Sequence, residues 1–331
     1  MIDRKGITRI VFILALMGLV FHCDKNPVGP DPASFPFAIY LLDDPKFDRE
    51  KILNEDYSDF QLKGEPWLTE DDIEFYDWSS HCIYLKIDKK TLFPQYDAKY
   101  IIEQFTNKMF LVAVNGEICY PAYFNYGYYY PIPELDLLAV LFYPDDVLRM
   151  SWTGVIDEDP RNDIDRRNNE KVKATLIQEG LYHAGLGVRL DTVIVIENAD
   201  TSTIEYTFTL TNNDEDNLYV FDPNVVGNSF HYHTNGPVLK HIEGGSLYQS
   251  TYKKVDSLGD WDRSWYTLLE SLKSLTWTVL LQGYSFLPTG TYRAQLSLNG
   301  PKVIKEKRYN TEGRYWFGGI ESDYITIYIE E

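Results

Sequence analysis

Long apolar runs, basic clusters, cysteines and catalytic signatures are all scarce in this chain of 331 residues. The apolar run at its front, Ile10 to Phe21, has twelve residues, too few to cross a hydrocarbon core of roughly 30 Å comfortably as a lasting anchor. Lys and Arg number 31 against 50 Asp and Glu, a formal charge of -19 that repels phosphate backbones and excludes nucleic acid as a partner. The densest basic cluster, Lys302, Lys305, Lys307 and Arg308, reads as a solvated hairpin or linker. Cys residues number 3, and none forms a C-x-x-C redox motif. There is no G-x-S-x-G, no S-x-x-K with its usual companions, no H-E-x-x-H and no Gly-rich phosphate loop. These absences leave no residue that the sequence marks as catalytic, and no expected cofactor. Gly 21 and Pro 16 are ordinary, and 44% of residues are apolar, so the chain is neither collagen, long coiled coil nor mainly disordered.

Aromatic residues, by contrast, are plentiful: Tyr 26, Phe 17 and Trp 7. Tyrosine favours strands and half-buried surfaces, so a mainly β protein is expected. Phe37–Leu42, Cys82–Ile87 and Phe110–Val114 read as strands, and Asn115-Gly116 is a hairpin signal with Glu117–Tyr120 returning. Thr69 with Asp72 suits one capped helical turn. A charged stretch from Asp157 to Arg167 flows into a helix expected over 165–180, with Leu176, Ile177, Leu181 and Ala184 as its apolar stripe. It would bridge the two halves of the chain or pack on the second.

Beyond it, Thr203–Thr211 alternates Ile204, Tyr206, Phe208 and Leu210 with threonines and Glu205, a period of two that excludes a helix. Val188–Glu197, Leu218–Phe221, Phe230–Thr234, Leu247–Lys253, Leu275–Leu281, Tyr292–Leu298 and Tyr324–Ile329 are further strands. Short strands separated by polar turns predict a β-sandwich. Three stretches, Tyr206–Asn213, Leu275–Val279 and Leu287–Arg293, make this region resemble bacterial immunoglobulin-like domains, in the style of small inhibitor and accessory sandwiches. An insertion over Lys254–Ser271 departs from a compact sandwich.

At the front, Arg4, Lys5 and Arg9 precede the apolar run, and His22-Cys23 leads into a Pro-rich stretch through Pro32. A basic start and a short apolar run form an export pattern. The arrangement resembles a bacterial lipoprotein signal, in which the cysteine after the run becomes the lipidated first residue of the mature chain. The resemblance implies a lipid on Cys23, with His22 standing where that family has Gly, Ala or Ser. Ordinary cleavage with secretion, and an uncleaved anchor, are the alternatives. The expected organisation is export signal 1–22, tether 23–34, an N-terminal β or α+β domain 35–155, charged linker and helix 156–187, and an immunoglobulin-like sandwich 188–331.

Few side chains offer chemistry. His231 and His233 share a strand face and, with His241 or Asp222, could ligate zinc; an aromatic strand surface explains them equally, and no metal site is assigned. Asp157, Asp159, Asp163 and Asp165 have calcium-loop spacing, yet Asn162 and Asn168 occupy the places needing Gly and bidentate Glu. Cys82 and Cys119 would pair as a disulfide in an exported protein, closing 37 residue steps. Tyr120, Tyr123, Tyr126, Tyr128, Tyr129 and Tyr130 fall within eleven positions, and so many hydroxyls are hard to satisfy in a small core. They are the binding candidates, with Trp261, Trp265 and Trp316 as a second platform.

The expected function is a noncatalytic cell-envelope lipoprotein, on the periplasmic or outer face, that binds an envelope protein or a polysaccharide through loops and the tyrosine-rich segment. The rival is a secreted or periplasmic hydrolase whose site in the N-terminal domain would bring Asp77, His81 and another carboxylate together.

Overall fold

A computed structural model describes residues 30–42, 49–93, 108–124, 136–139, 144–151, 164–197, 200–226, 236–251, 263–301 and 312–330. The fold is mainly β. Nine strands form the first sheet: β1 (Phe37–Leu42), β2 (Leu68–Thr69), β3 (Ile73–Asp77), β4 (Cys82–Leu85), β5 (Met109–Val114), β6 (Glu117–Phe124), β7 (Asp136–Ala139), β8 (Val147–Ser151) and β9 (Tyr182–His183). Their order is β2-β1-β5-β6-β7-β8-β4-β3-β9. Asn115 and Gly116 take φ of 49° and 78° and turn β5 into β6, as the sequence predicts. The Asp72 carboxylate accepts from both the N–H and the hydroxyl of Thr69, closing the expected capped turn.

This sheet is covered on both faces, which is why β1 and β5 are unbroken apolar runs without alternation. Phe37, Ile39, Phe110, Val112, Tyr76, Ile83 and Leu148 meet the helix α2 (Glu170–Gln178). On the opposite face Ala38, Tyr40, Met109 and Leu111 meet the short α1 (Arg49–Leu53). Farther along, Phe75, Cys82, Tyr84 and Val147 join the core of the second half of the chain.

α2 is shorter than expected. Asn169 Oδ1 accepts from the N–H groups of Lys171 and Val172, starting the helix at Glu170, while Arg166–Asn168 is a separate 3₁₀ turn. Val172 and Leu176 are buried against the first sheet, but Ile177 is 56% exposed. The helix therefore packs on the first sheet and does not bridge the halves. The chain then adds β9 beside β3, parallel to it, before entering the second half.

There, β10 (Leu186–Glu197), β11 (Thr201–Asn212) and β16 (Ser274–Ser285) form one antiparallel sheet. A second sheet has β14 (Leu247–Tyr248), β13 (Pro237–His241), β17 (Gly290–Asn299) and β19 (Gly319–Glu321), with β20 (Ile325–Ile329) also on β17. Leu190, Ile204, Tyr206, Phe208 and Leu281 from the first share a core with Leu239, Tyr292, Ala294 and Leu296 from the second. A β-sandwich results, and the period-two reading of β11 is met: Ile204, Tyr206 and Phe208 are fully buried.

A bulge between Leu190 and Thr192 shifts the register of β10, so Val188 and Leu190 point inward before it and Val193 and Val195 after it. On the wet face of β11 and β16, hydroxyl pairs Thr207–Thr278, Thr209–Thr276 and Thr211–Ser274 lie 2.8–2.9 Å apart. A third, small sheet of β15 (Tyr266–Leu269), β12 (Leu218–Phe221) and β18 (Arg314–Tyr315) occupies part of the expected insertion; α3 (Pro223–Val226) follows β12.

Candidate functional site

The site lies on the seam between the two halves, around the turn that joins β3 to β4. Asp77 ends β3, and its carboxylate accepts from the hydroxyl of Ser79 at 2.6 Å and from the N–H and hydroxyl of Ser80, both at 3.2 Å. This local network curls Trp78–His81 into a tight turn. His81 closes it at φ 52°, the left-handed region that a non-glycine residue enters at a cost of roughly 1–2 kcal/mol. Its carbonyl accepts from Met150 N–H, and its Nδ1 lies 3.0 Å from the hydroxyl of Tyr76. Burial, then the charges of Arg167 and Arg149, hold the imidazole well below its usual range, so it is neutral at neutral pH.

One charged knot locks the seam. Arg314, on β18, is fully buried; its Nη2 donates to Asp77 at 2.9 Å and to Asp214 at 2.8 Å, and its guanidinium faces the rings of Phe75 and Tyr84. His183 Nδ1 lies 2.9 Å from Asp214. Burial alone would raise the Asp214 carboxyl, but the His183 hydrogen bond and the Arg314 charge outweigh it and bring it down to about 2. Ser79 Oγ also receives Trp316 Nε1–H at 3.1 Å and Leu186 N–H at 2.9 Å. Two glycines permit this closeness. A Cβ on Gly185 would meet Ser79 Oγ at 2.2 Å, and one on Gly318 would meet Ser80 Cβ at 2.5 Å.

Beside the knot opens a cleft of about 440 Å³. The first half contributes Trp78, Ser79, His81 and Arg149, followed by Asp165, Arg167 and Asn168. The sandwich contributes Gly187, Asn299, Glu321 and Asp323 among others. Arg167 is fixed by two bonds of 2.8 Å to Asp165 and one of 2.7 Å to Met150 carbonyl. Arg149 reaches Gly319 carbonyl at 3.5 Å.

Several expected sites fall elsewhere. Cys82 and Cys119 are free, which corrects the predicted disulfide. Their strands, β4 and β6, are separated by β8 and β7, about 14 Å at the usual strand spacing, far beyond disulfide reach. They also belong to the cores on opposite faces of the sheet. Burial pushes the Cys82 thiol up to about 12 and Cys119 up to about 11, so both are poor nucleophiles. A reductant is accordingly expected to leave the urea unfolding midpoint unchanged. Unfolding, and not reduction, should release the thiols of Cys82 and Cys119 to a thiol reagent; a midpoint lowered by reductant would contradict the free pair.

Tyr120 is 1% exposed and hydrogen-bonded to Tyr76, so it is core and not a docking residue. Tyr123 lies on β6. Cys23 and the export segment, Tyr126, Tyr128, Tyr129 and Tyr130, His231 and His233, Asp157, Asp159 and Asp163, Trp261, and the cluster Lys302–Arg308 lie outside the described residues. Trp316 is buried at the seam rather than displayed as a platform. Asp165 caps the 3₁₀ turn and pairs with Arg167. His241 accepts Gly244 N–H at Nδ1 and faces Glu243 with Nε2 at 3.4 Å. Among the described residues no group of three His, Cys, Asp or Glu is placed to hold a metal, and no helix is long and apolar enough to cross a membrane.

Sequence reasoning missed Arg314, Asp214, Arg149 and Arg167. A signal existed for two of them: Arg149 interrupts Val147-Leu148 and Met150, and Arg314 precedes Tyr315-Trp316-Phe317. A charge inside an apolar run implies a buried partner.

No protein-family model matches the chain, and no curated protein matches it. Among solved structures, one titled as an ApaA protein from Bordetella pertussis aligns at 13% identity, covering 44% of this chain and 93% of that one, with a TM-score of 0.23.

Proposed function

We propose that this chain is a noncatalytic binding protein of the bacterial cell envelope, fastened through a lipid on Cys23, whose immunoglobulin-like half and first sheet together hold a ligand in the seam cleft. One observation carries the reading: among the described residues the cleft is built and polar, and Asp77 and His81 beside it are already engaged by other groups of the protein. Asp77 is engaged by Arg314 and the two serines, and His81 turns its Nδ1 to Tyr76 and not to Asp77, which speaks against the Asp77–His81 pair of the hydrolase reading. Arg167 is held by Asp165, as a positioning group is and a proton carrier is not. The partner is an envelope protein or polysaccharide.

Growth with a radioactive fatty acid tests the anchor. Label is expected in the intact chain and lost in Cys23→Ser; equal labelling of both would refute it. Cross-linking in whole cells, followed by recovery of the chain, tests the binding role. An envelope component captured by the intact chain and lost when Trp78→Ala strips the aromatic wall from the cleft supports it; capture unchanged by that variant places binding elsewhere.

A further inference from the structure

We infer that the seam cleft takes a neutral carbohydrate of one or two sugar rings; this rests on the reading that the cleft is where the protein binds. Its volume of about 440 Å³ lies within the 300–1,000 Å³ or so of small-molecule sites. The charge balance disfavours an anion. Two guanidiniums line the cleft against the carboxylates of Asp165, Glu321 and Asp323, and Arg167 is already neutralised by Asp165 through two bonds of 2.8 Å. The chain as a whole carries -19.

The polar groups suit hydroxyls. A sugar offers groups that donate and accept on neighbouring carbons, with an apolar C–H face between them. The Arg167–Asp165 pair is planar and held rigid, Asn168 Nδ2 donates to the same carboxylate at 3.1 Å, and Asn299 faces them from the sandwich side. Trp78 supplies the aromatic wall for the C–H face.

His81 makes this a prepared site rather than a gap between two surfaces. It is 4% exposed, lines the cleft, and has Tyr76 on Nδ1, with no protein partner on Nε2 among the described residues. A neutral imidazole offers Nε2 as donor in one tautomer and acceptor in the other, and a hydroxyl satisfies either, whereas an anion satisfies only the first. The left-handed backbone at this residue, φ 52°, is strain retained at the cleft floor.

The test is calorimetric titration of the purified full chain, in a detergent without sugar groups, with a panel of neutral mono- and disaccharides, and in parallel with inorganic phosphate and citrate. The variants are His81→Gly, which relieves the left-handed backbone but removes the ring and its Tyr76 bond, so that its folding is checked by urea unfolding, and the exposed Asn299→Ala, which leaves the core untouched. A neutral saccharide that binds the intact chain and binds each variant about tenfold more weakly is the expected result. Binding of phosphate or citrate, weakened by Arg149→Ala, with no saccharide bound, would overturn the carbohydrate class and leave the cleft as the binding site. Saccharide binding indifferent to both variants would overturn the location. If nothing in the panel binds, the inference fails, and the cross-linking experiment decides the binding role separately.

Discussion

Arg314→Ala is expected to cost about 3–5 kcal/mol of folding stability. The side chain is fully buried with Asp77 and Asp214 on it, and taking it away leaves two carboxylates with 0% and 5% exposure to face a low-dielectric seam. Urea unfolding of the intact chain and the variant measures the difference. Arg263→Ala is the control. Its partner Glu312 and the arginine itself are 54% and 49% exposed, and an open pair contributes at most about 1 kcal/mol. The double variant Arg314→Ala with Asp77→Asn should cost less than the sum of the singles, because the second change removes a charge that the first left stranded. A loss below about 1 kcal/mol for Arg314→Ala would show that the seam does not depend on this knot.

The second large effect is a loss of stability in acid that traces to Asp214. Its folded carboxyl, brought down to about 2, lies below the ordinary 3.8 of the unfolded chain. A depressed acid stabilises the fold above the unfolded value, and that contribution disappears as pH falls from about 4 towards 2. The difference corresponds to about 2 kcal/mol. Buried neutral His81 works in the same direction from its ordinary 6.5 downward, because the unfolded chain takes up the proton that the folded one refuses. Asp214→Asn separates the two. Urea unfolding at pH 6, 4 and 2 should show the gap between the intact chain and the variant shrink by about 2 kcal/mol across the lower interval. A gap constant with pH would mean that Asp214 is not held as a carboxylate by His183 and Arg314.

The elements that could be read from the chain share one property: each has a wet side. β11 was legible because Glu205 and the threonines alternate with Ile204, Tyr206, Phe208 and Leu210, and only a strand with one face in water makes that pattern. β10 hid a bulge, so its inward set, Val188, Leu190, Val193 and Val195, changes parity midway and gives no clean period. β1 and β5 were legible as strands but not as faces, since both sides are buried. Ile177 was misread because α2 is seated by Val172, Thr175 and Leu176, a face that leaves Ile177 in water.

The candidate site was the least legible part. Asp77 and His81 stood out by residue type, but their roles were set by partners far away: Arg314 lies 237 positions from Asp77, and Asn299 reaches the cleft from the other half. The same distance effect undid the pairing of Cys82 with Cys119. Both are strand residues of one sheet, and strand order, which no local pattern encodes, set two strands between them and put them on opposite faces.

The amino-acid order alone determined the mainly β character, the Asn115-Gly116 hairpin, the acidic balance and the inward face of β11, because each is a property of neighbours in the chain and their contact with water. Tertiary structure decided which strands adjoin, which charges are buried together and where a cleft opens. Those outcomes depend on the closing of two halves over a shared core, where a buried charge is tolerated only with its partner present.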